Sequence, residues 1–163
     1  MPSHLNDRHV SLQTRKDVGF FSAARGLSLT QHDMKTDQDA LVSIAKRYKE
    51  TAQDIVNATS HRLYVSSNEV CWQLISEDRE RIYLGHFHVL SALNLPYRRV
   101  RLRGLDAQAI YGDRFSRQTF AGSSLTHRGM DMPYVHSLQL SETESHMPKG
   151  DFSSWPCEIE RIL

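Results

Sequence analysis

Val70-Cys71-Trp72-Gln73-Leu74-Ile75-Ser76, the turn Glu77-Asp78-Arg79, and Arg81-Ile82-Tyr83-Leu84-Gly85-His86-Phe87-His88-Val89-Leu90 form the stretch that decides the fold. Two runs rich in β-branched and aromatic residues flank a short polar turn, which predicts an antiparallel hairpin. Outward from it the same two-residue alternation recurs at Arg62 to Val65, Tyr97 to Arg103, Ala109 to Tyr111, Gln118 to Phe120, Val135 to Leu140 and Glu158 to Ile162. Turn chemistry separates these runs: Ser66-Ser67-Asn68, Asn94-Leu95-Pro96, Gly104-Leu105-Asp106, Gly112-Asp113 and Gly129 to Pro133. Many short strands at short intervals predict a mainly β fold, an antiparallel sandwich or open barrel. The polar stretch Ser141 to Gly150 reads as a surface loop.

Before Ser60 the period is different. Thr36, with Asp37 and Asp39 in the following turn, reads as a helix start, since carboxylates there complement the positive end of the helix dipole. Leu41, Ile44, Ala45, Tyr48, Ala52 and Ile55 then recur at helical spacing and predict one buried stripe, ending near Asn57. Ahead of that helix, Val18-Gly19-Phe20-Phe21-Ser22-Ala23-Ala24 is a short apolar run without alternation, read as a strand buried on both faces. One strand and one helix are too little to bury themselves.

A chain of 163 residues with 39% hydrophobic and 24% charged residues has ordinary globular composition. Its formal charge of +1 gives no electrostatic reason to expect nucleic acid or an acidic membrane surface as a partner. No apolar run approaches the roughly 20 residues that span a bilayer. The start, Met1 to Asp7, lacks the basic and apolar regions of a secretory signal, so a cytoplasmic location is expected. Cys71 and Cys157 form no Cys-x-x-Cys pair, and Cys71, inside an apolar run, reads as a buried free thiol. No cofactor is expected.

Four groups of residues invite a chemical reading. His86 and His88 flank Phe87 on one strand and share a face, a spacing that presents two ligands to one ion; no third ligand follows, and hydrogen-bonded or solvent-facing histidines explain them as well. Arg99, Arg101 and Arg103 share one face of a strand whose other face carries Val100 and Leu102, a stripe able to follow phosphates or simply to be solvated beside carboxylates. Glu142 and Glu144 are two apart, but they lie in a polar loop with no apolar neighbour to raise one pKa. Tyr97, Tyr111, Tyr134 and Trp155 are the side chains available for a sugar-stacking platform, though aromatics at such positions are more often core. Nucleophile elbow, phosphate-binding loop and dinucleotide glycine patterns do not occur. From the residues alone no catalytic, substrate-binding, cofactor or metal residue is assigned.

The order of motifs along the chain resembles the C-terminal end of the bacterial α-galactosidases of glycoside hydrolase family thirty-six. In that family the last part of a (β/α)8 barrel carries a pattern of the type P-N-H-x-x-G-R-x-x-P-L-x-T-R, and Pro2-Ser3-His4 through Ser11-Leu12-Gln13-Thr14-Arg15 is similar to it. Val18 through Leu29 resembles the buried strand and loop that follow. Arg47-Tyr48-Lys49-Glu50 resembles the end of the next helix, Arg62-Leu63 the element after it, and Trp72 through Asp78 a tryptophan strand with a serine-glutamate-aspartate turn. Pro96 to Arg103, Gly104-Leu105-Asp106 and Gly150-Asp151-Phe152-Ser153-Ser154 echo the remaining elements in order. Departures are Ser3 for asparagine, Ser11 in the proline region, and a long Ser137 to Gly150 segment.

The resemblance implies a β-sandwich C-terminal domain at 58–163, preceded at 1–57 by the last strand-helix unit of the barrel. It implies a retaining α-galactosidase whose nucleophilic and acid/base aspartates lie on earlier barrel strands, upstream of Met1, so that this chain alone is inactive. Expected partners are galactoside substrates through the parent enzyme, the rest of the barrel, and other copies in a homo-oligomer. Without the barrel, Val18 to Ala24 and the stripe Leu41 to Ile55 would be left as an exposed apolar patch prone to self-association. Two other readings stand beside this one: a stand-alone carbohydrate-binding or assembly module, and a metal- or nucleic-acid-binding protein built on the histidines or the arginine strand.

Overall fold

Ser11 starts the first helix: its Oγ accepts a hydrogen bond from the Thr14 N–H at 3.0 Å, capping α1 (Leu12–Phe21). The computed structural model describes residues 4–5, 8–22, 38–90, 97–132 and 151–163. Ahead of α1, β1 (His4–Leu5) and β2 (Arg8–His9) form a short antiparallel pair. The strand expected over Val18 to Ala24 is therefore corrected. Val18 to Phe21 are the last turn of α1, and Ala23 and Ala24 lie outside the described residues. The reason is physical: a short apolar run buried against a sheet has no diagnostic period, and the Ser11 cap and the Gln13–Asp17 bond one turn apart favour the helix.

The second helix, α2 (Gln38–Val56), has Asp39 in its first turn and stops one residue before Asn57. Thr36 and Asp37, the expected start, are outside the described residues. Its stripe is shallower than its spacing predicts. Ile55 and Thr51 are buried, Leu41, Ile44 and Tyr48 are half-buried, and Ala45 and Ala52 face solvent.

The rest is mainly antiparallel β, as alternation predicts. β3 (Thr59–Val65), β4 (Glu69–Ile75), β5 (Arg81–His88), β7 (Ile110–Asp113), β8 (Thr119–Ala121) and β10 (Ser153–Arg161) form one sheet in the order β3-β4-β5-β10-β7-β8. The β4–β5 hairpin pairs Ile75 with Ile82 and Glu69 with His88, across the turn named above. The last strand, β10, inserts between β5 and β7, and begins five residues ahead of the expected Glu158. Pro156 interrupts the sequence pattern but not the strand. β7 pairs with β10 only from Ile159, so among the described residues Pro156 lies where β10 has β5 as its single neighbour and no described acceptor calls for a donor on the other side.

Alternation gives the sheet two apolar faces. One carries Cys71, Ile75, Ile82, Leu84, Cys157 and Ile159, and is covered by the 97–132 segment through Val100, Leu102, Leu125, Met130 and Met132. That covering layer holds β6 (Arg99–Val100) paired to β9 (Met130–Asp131), and the short α3 (Gly122–His127). Of the strand expected at Tyr97 to Arg103, only β6 joins a ladder; beyond it the backbone is held instead by the Gln73 side chain, which bonds Arg103 N–H at 2.9 Å and C=O at 2.7 Å. The helices cover the other face through an aromatic cluster. Phe20 lies edge-on to Tyr83 at 5.3 Å and to Tyr48 at 5.9 Å, and Phe21 to Phe87 at 5.8 Å. The expected strand Val135 to Leu140 and the loop Ser141 to Gly150 lie outside the described residues.

Candidate functional site

His86 and His88 share the face of β5 that meets the 97–132 layer, with ring centroids 4.5 Å apart and edge to face. They are neither solvent-facing nor on a half-exposed strand: His86 is 2% exposed and His88 7%. Among the described residues, neither ring nitrogen of His86, nor Nε2 of His88, has a hydrogen-bond partner. Burial, with His88 and Arg98 nearby, pulls the His86 imidazole down to about 4, so it is neutral at pH 7. His88 is lowered too, again chiefly by burial, although the Glu69 carboxylate pulls the other way. Glu69 stands opposite His88 on β4, but Arg98 Nε holds its carboxylate at 3.2 Å. Among the described residues no three His, Cys, Asp or Glu side chains are placed to hold a metal ion.

The arginine strand divides as alternation predicts, with Arg99, Arg101 and Arg103 exposed and Val100 and Leu102 buried. Arg99 is taken up by Asp131 across the β6–β9 ladder and by the Tyr97 hydroxyl at 2.9 Å. The four aromatics do not share a surface. Tyr111 is fully buried, Trp155 packs half-buried against the core, Tyr97 is exposed beside Arg99, and Tyr134 is outside the described residues, as are Glu142 and Glu144. Cys71 and Cys157 are buried free thiols. Burial pushes Cys71 up to about 12 and Cys157 higher still, so neither is a nucleophile at neutral pH.

The polar constellation the sequence does not announce lies on the other face, where the helices meet the sheet. Asp17, 4% exposed, accepts bonds from Ser154 Oγ at 2.7 Å and Gln13 Nε2 at 2.9 Å, with Lys16 Nζ at 3.7 Å. Burial raises its carboxyl above the usual range, while Lys16 and the hydrogen bonds oppose that rise. Burial lowers Lys16 in turn. Beside it Glu158 of β10, also buried, takes Arg47 of α2 at 3.4 Å and Arg114 at 3.1 Å. Asp54 of α2 takes Arg81 at 2.7 Å and the Tyr83 hydroxyl at 3.0 Å. Each acceptor is already engaged by protein donors, so this seam fastens α1 and α2 to the sheet. Only the three-dimensional pairing reveals it, since Asp17 and Ser154 are 137 positions apart.

Compared with known proteins, residues 69–158, more than half of the chain, match the model of the glycosyl hydrolase family 36 C-terminal domain. The chain belongs to this family. The matched region opens at the first residue of β4 and runs into β10, so it spans the hairpin, the histidine pair and the covering layer, while α1, α2 and β3 precede it. Alpha-galactosidase AgaA of Geobacillus stearothermophilus is 29% identical over 149 residues, which are 86% of this chain and 20% of that protein. Probable alpha-galactosidase G of Aspergillus terreus is 30% identical over 114 residues, 68% of this chain and 16% of its own length. The crystal structure of alpha-galactosidase AgaB from Geobacillus stearothermophilus superimposes with a TM-score of 0.74 at 24% identity, over 98% of this chain and 20% of that one. The galactosidase domain of the alpha-galactosidase–sucrose kinase AgaSK gives 0.72 at 19% identity, over 99% and 21%. These structural likenesses concern the fold. The family 36 domain described here thus spans about a fifth of the length of the curated relatives it matches.

Proposed function

We propose that this chain serves as the supporting C-terminal β-domain of an α-galactosidase, an enzyme that removes terminal non-reducing α-galactose, and that the catalytic groups lie in the remaining four-fifths of such a protein. The observation that carries the reading is the family 36 domain match on a chain of one-fifth length. The chemistry of the described residues agrees with it, because the buried carboxylates Asp17, Glu69, Asp113 and Glu158 are each engaged by donors of the chain itself. On this reading the retaining reaction belongs to two aspartates of a barrel, and 1–57 is the end of that barrel while 58–163 is the appended domain. Two features support a surface awaiting the rest of the protein. α2 buries little of its stripe, and it leaves Val42 and Val56 exposed at 69% and 63%. The partners are the rest of the barrel, galactosides held there, and further copies of the protein in an oligomer. The location is cytoplasmic; no helix among the described residues is long and apolar enough to cross a membrane. A stand-alone sugar-binding module is less well supported, since Tyr111 and Trp155 are committed to the core.

The test is a fusion. Alpha-galactosidase AgaA of Geobacillus stearothermophilus is cut back by its C-terminal fifth and this chain is joined in its place. The fusion is expected to hydrolyse an aryl α-galactoside where the cut-back enzyme and the isolated chain do not. Turnover by the isolated chain in the usual enzyme range, about 1–1000 per second, overturns the reading. So does a fusion as inactive as the cut-back enzyme, when rejoining the enzyme's own piece restores it.

A further inference from the structure

One groove plays no part in the supporting role. Where α2 gives way to the edge strand β3, Asn57, Thr59 and His61 make one wall of an open groove of about 600 Å3. Thr59 and His61 are two apart on a strand and present the same face. The lining is completed by the end of the neighbouring strand β4 with its turn, Ile75, Ser76, Glu77 and Arg79, and by Gly104 of the covering layer.

Arg79 stands out on two counts. Its φ is 61°, the left-handed region where glycine is the default residue, and the turn fixes it there through Arg79 N–H to Ser76 C=O at 3.0 Å and Ser76 N–H to Arg81 C=O at 2.9 Å. That conformation closes the turn and aims the Arg79 C=O at the Tyr111 hydroxyl, 3.4 Å away, while the guanidinium has neither a hydrogen bond nor an ion pair among the described residues. Arg103 adds a second cation near the groove. Its backbone is pinned by Gln73, its charge reaches His61, and it too has no ion pair among the described residues. The lining itself holds one guanidinium, Arg79, and one carboxylate, Glu77, with Arg103 close enough for its charge to reach His61.

We infer that this groove binds the oxyanion group, phosphate or carboxylate, of a small ligand, with Arg79 as its bidentate anchor and Asn57, Thr59 and His61 of the same lining as further donors. A planar guanidinium with free donors matches two oxygens of either group, which a lysine cannot do. The site is independent of the supporting role proposed above.

The experiment titrates the purified chain with inorganic phosphate and, separately, with malonate, at constant ionic strength in chloride. Amide and His61 ring shifts are followed by NMR. Saturable millimolar binding of at least one anion is expected, with the His61 imidazole titrating higher in the complex. Arg79→Gly should weaken binding at least tenfold, with an unchanged or higher melting midpoint because glycine suits a φ of 61°. Arg79→Lys should weaken it at least threefold. Phosphate without malonate assigns a phosphorylated ligand, and malonate without phosphate a carboxylate. Saturation by neither anion, or equal binding by Arg79→Gly, overturns the proposal.

Discussion

His86→Leu isolates the energetic consequence of a buried imidazole without partners. At neutral pH the wild-type side chain is uncharged and 2% exposed, and neither ring nitrogen is hydrogen-bonded among the described residues. A buried polar group left unpaired costs roughly 1–3 kcal/mol, and an apolar group of similar shape avoids that cost. Leucine is close in volume and sits beside Leu84, so the variant is expected to equal or exceed wild type by up to about 2 kcal/mol near pH 7.5. Acid should widen the gap. The folded-state pKa of His86, about 4, lies below its ordinary 6.5, so the unfolded chain binds the proton first. The stability is fully present above pH 6.5 and is lost as pH falls from there towards 4. At 1.36 kcal/mol per pH unit, wild type loses about 2 kcal/mol by pH 5 and about 3 kcal/mol by pH 4 through this group. His61 and His88 are also lowered and act in the same direction. Asp17 is raised and acts against them. Comparing the two proteins at each pH cancels the contributions of His61 and Asp17, whereas His88, whose ring lies 4.5 Å from that of His86, is coupled to the substitution. The assay is urea unfolding followed by the fluorescence of Trp72 and Trp155, at pH 7.5, 6 and 5. If wild type and His86→Leu lose stability in parallel between pH 7.5 and 5, the imidazole is not buried neutral and the reasoning fails.

Three further outcomes follow from the packing. A Cβ on Gly122 would stand 1.9 Å from the Asp106 carbonyl oxygen, whereas one on Gly112 would meet Ile162 at an ordinary 3.6 Å. Gly122→Ala should therefore cost about 2–4 kcal/mol and Gly112→Ala less than about 1 kcal/mol by thermal melting, and equal melting points would contradict the close approach. Glu158→Gln should cost about 1–2 kcal/mol, less than a fully buried ion pair, because Arg114 is half in water; a cost that ignores salt and equals zero would show that the seam does not hold α2. Neither thiol should react with a disulfide reagent at pH 8 in the native chain, while both react in guanidinium; rapid native reaction would mean that Cys71 is not enclosed.

The hairpin was legible because three independent cues coincide between Val70 and Leu90: alternation, β-branched and aromatic residues, and a polar turn. α2 was legible because nineteen residues give five turns of period to read. The end of the first helix is not legible, because Val18 to Phe21 spans about one turn, too short for a period of 3.6 to be told from 2. β10 was recognised only from Glu158 because Pro156 breaks the pattern, and whether a proline is tolerated depends on which neighbouring strand is absent, a property of topology rather than of local sequence. The burial of His86 was hidden for a similar reason. Alternation told which face His86 and His88 share, but not that the 97–132 layer reaches far enough to cover it.

The two faces of the sheet are closed by different physics, and that difference bears on the role of the domain. Toward the 97–132 layer the closure is apolar and continuous, from Cys71 and Leu84 to Leu102, Leu125 and Met132, and apolar burial at roughly 25 cal/mol per Å2 needs no particular geometry. Toward the helices, burial is confined to a few rings, and Asp17, Glu158 and Asp54 supply the rest by pairing with donors on the facing elements. Paired buried charges add little net stability, yet they penalise every register in which a carboxylate loses its donor. The helix layer is therefore held in one orientation more strongly than it is held in place. A domain that must present α1 and α2 at a fixed angle to further chain, with Val42 and Val56 turned outward, requires that combination.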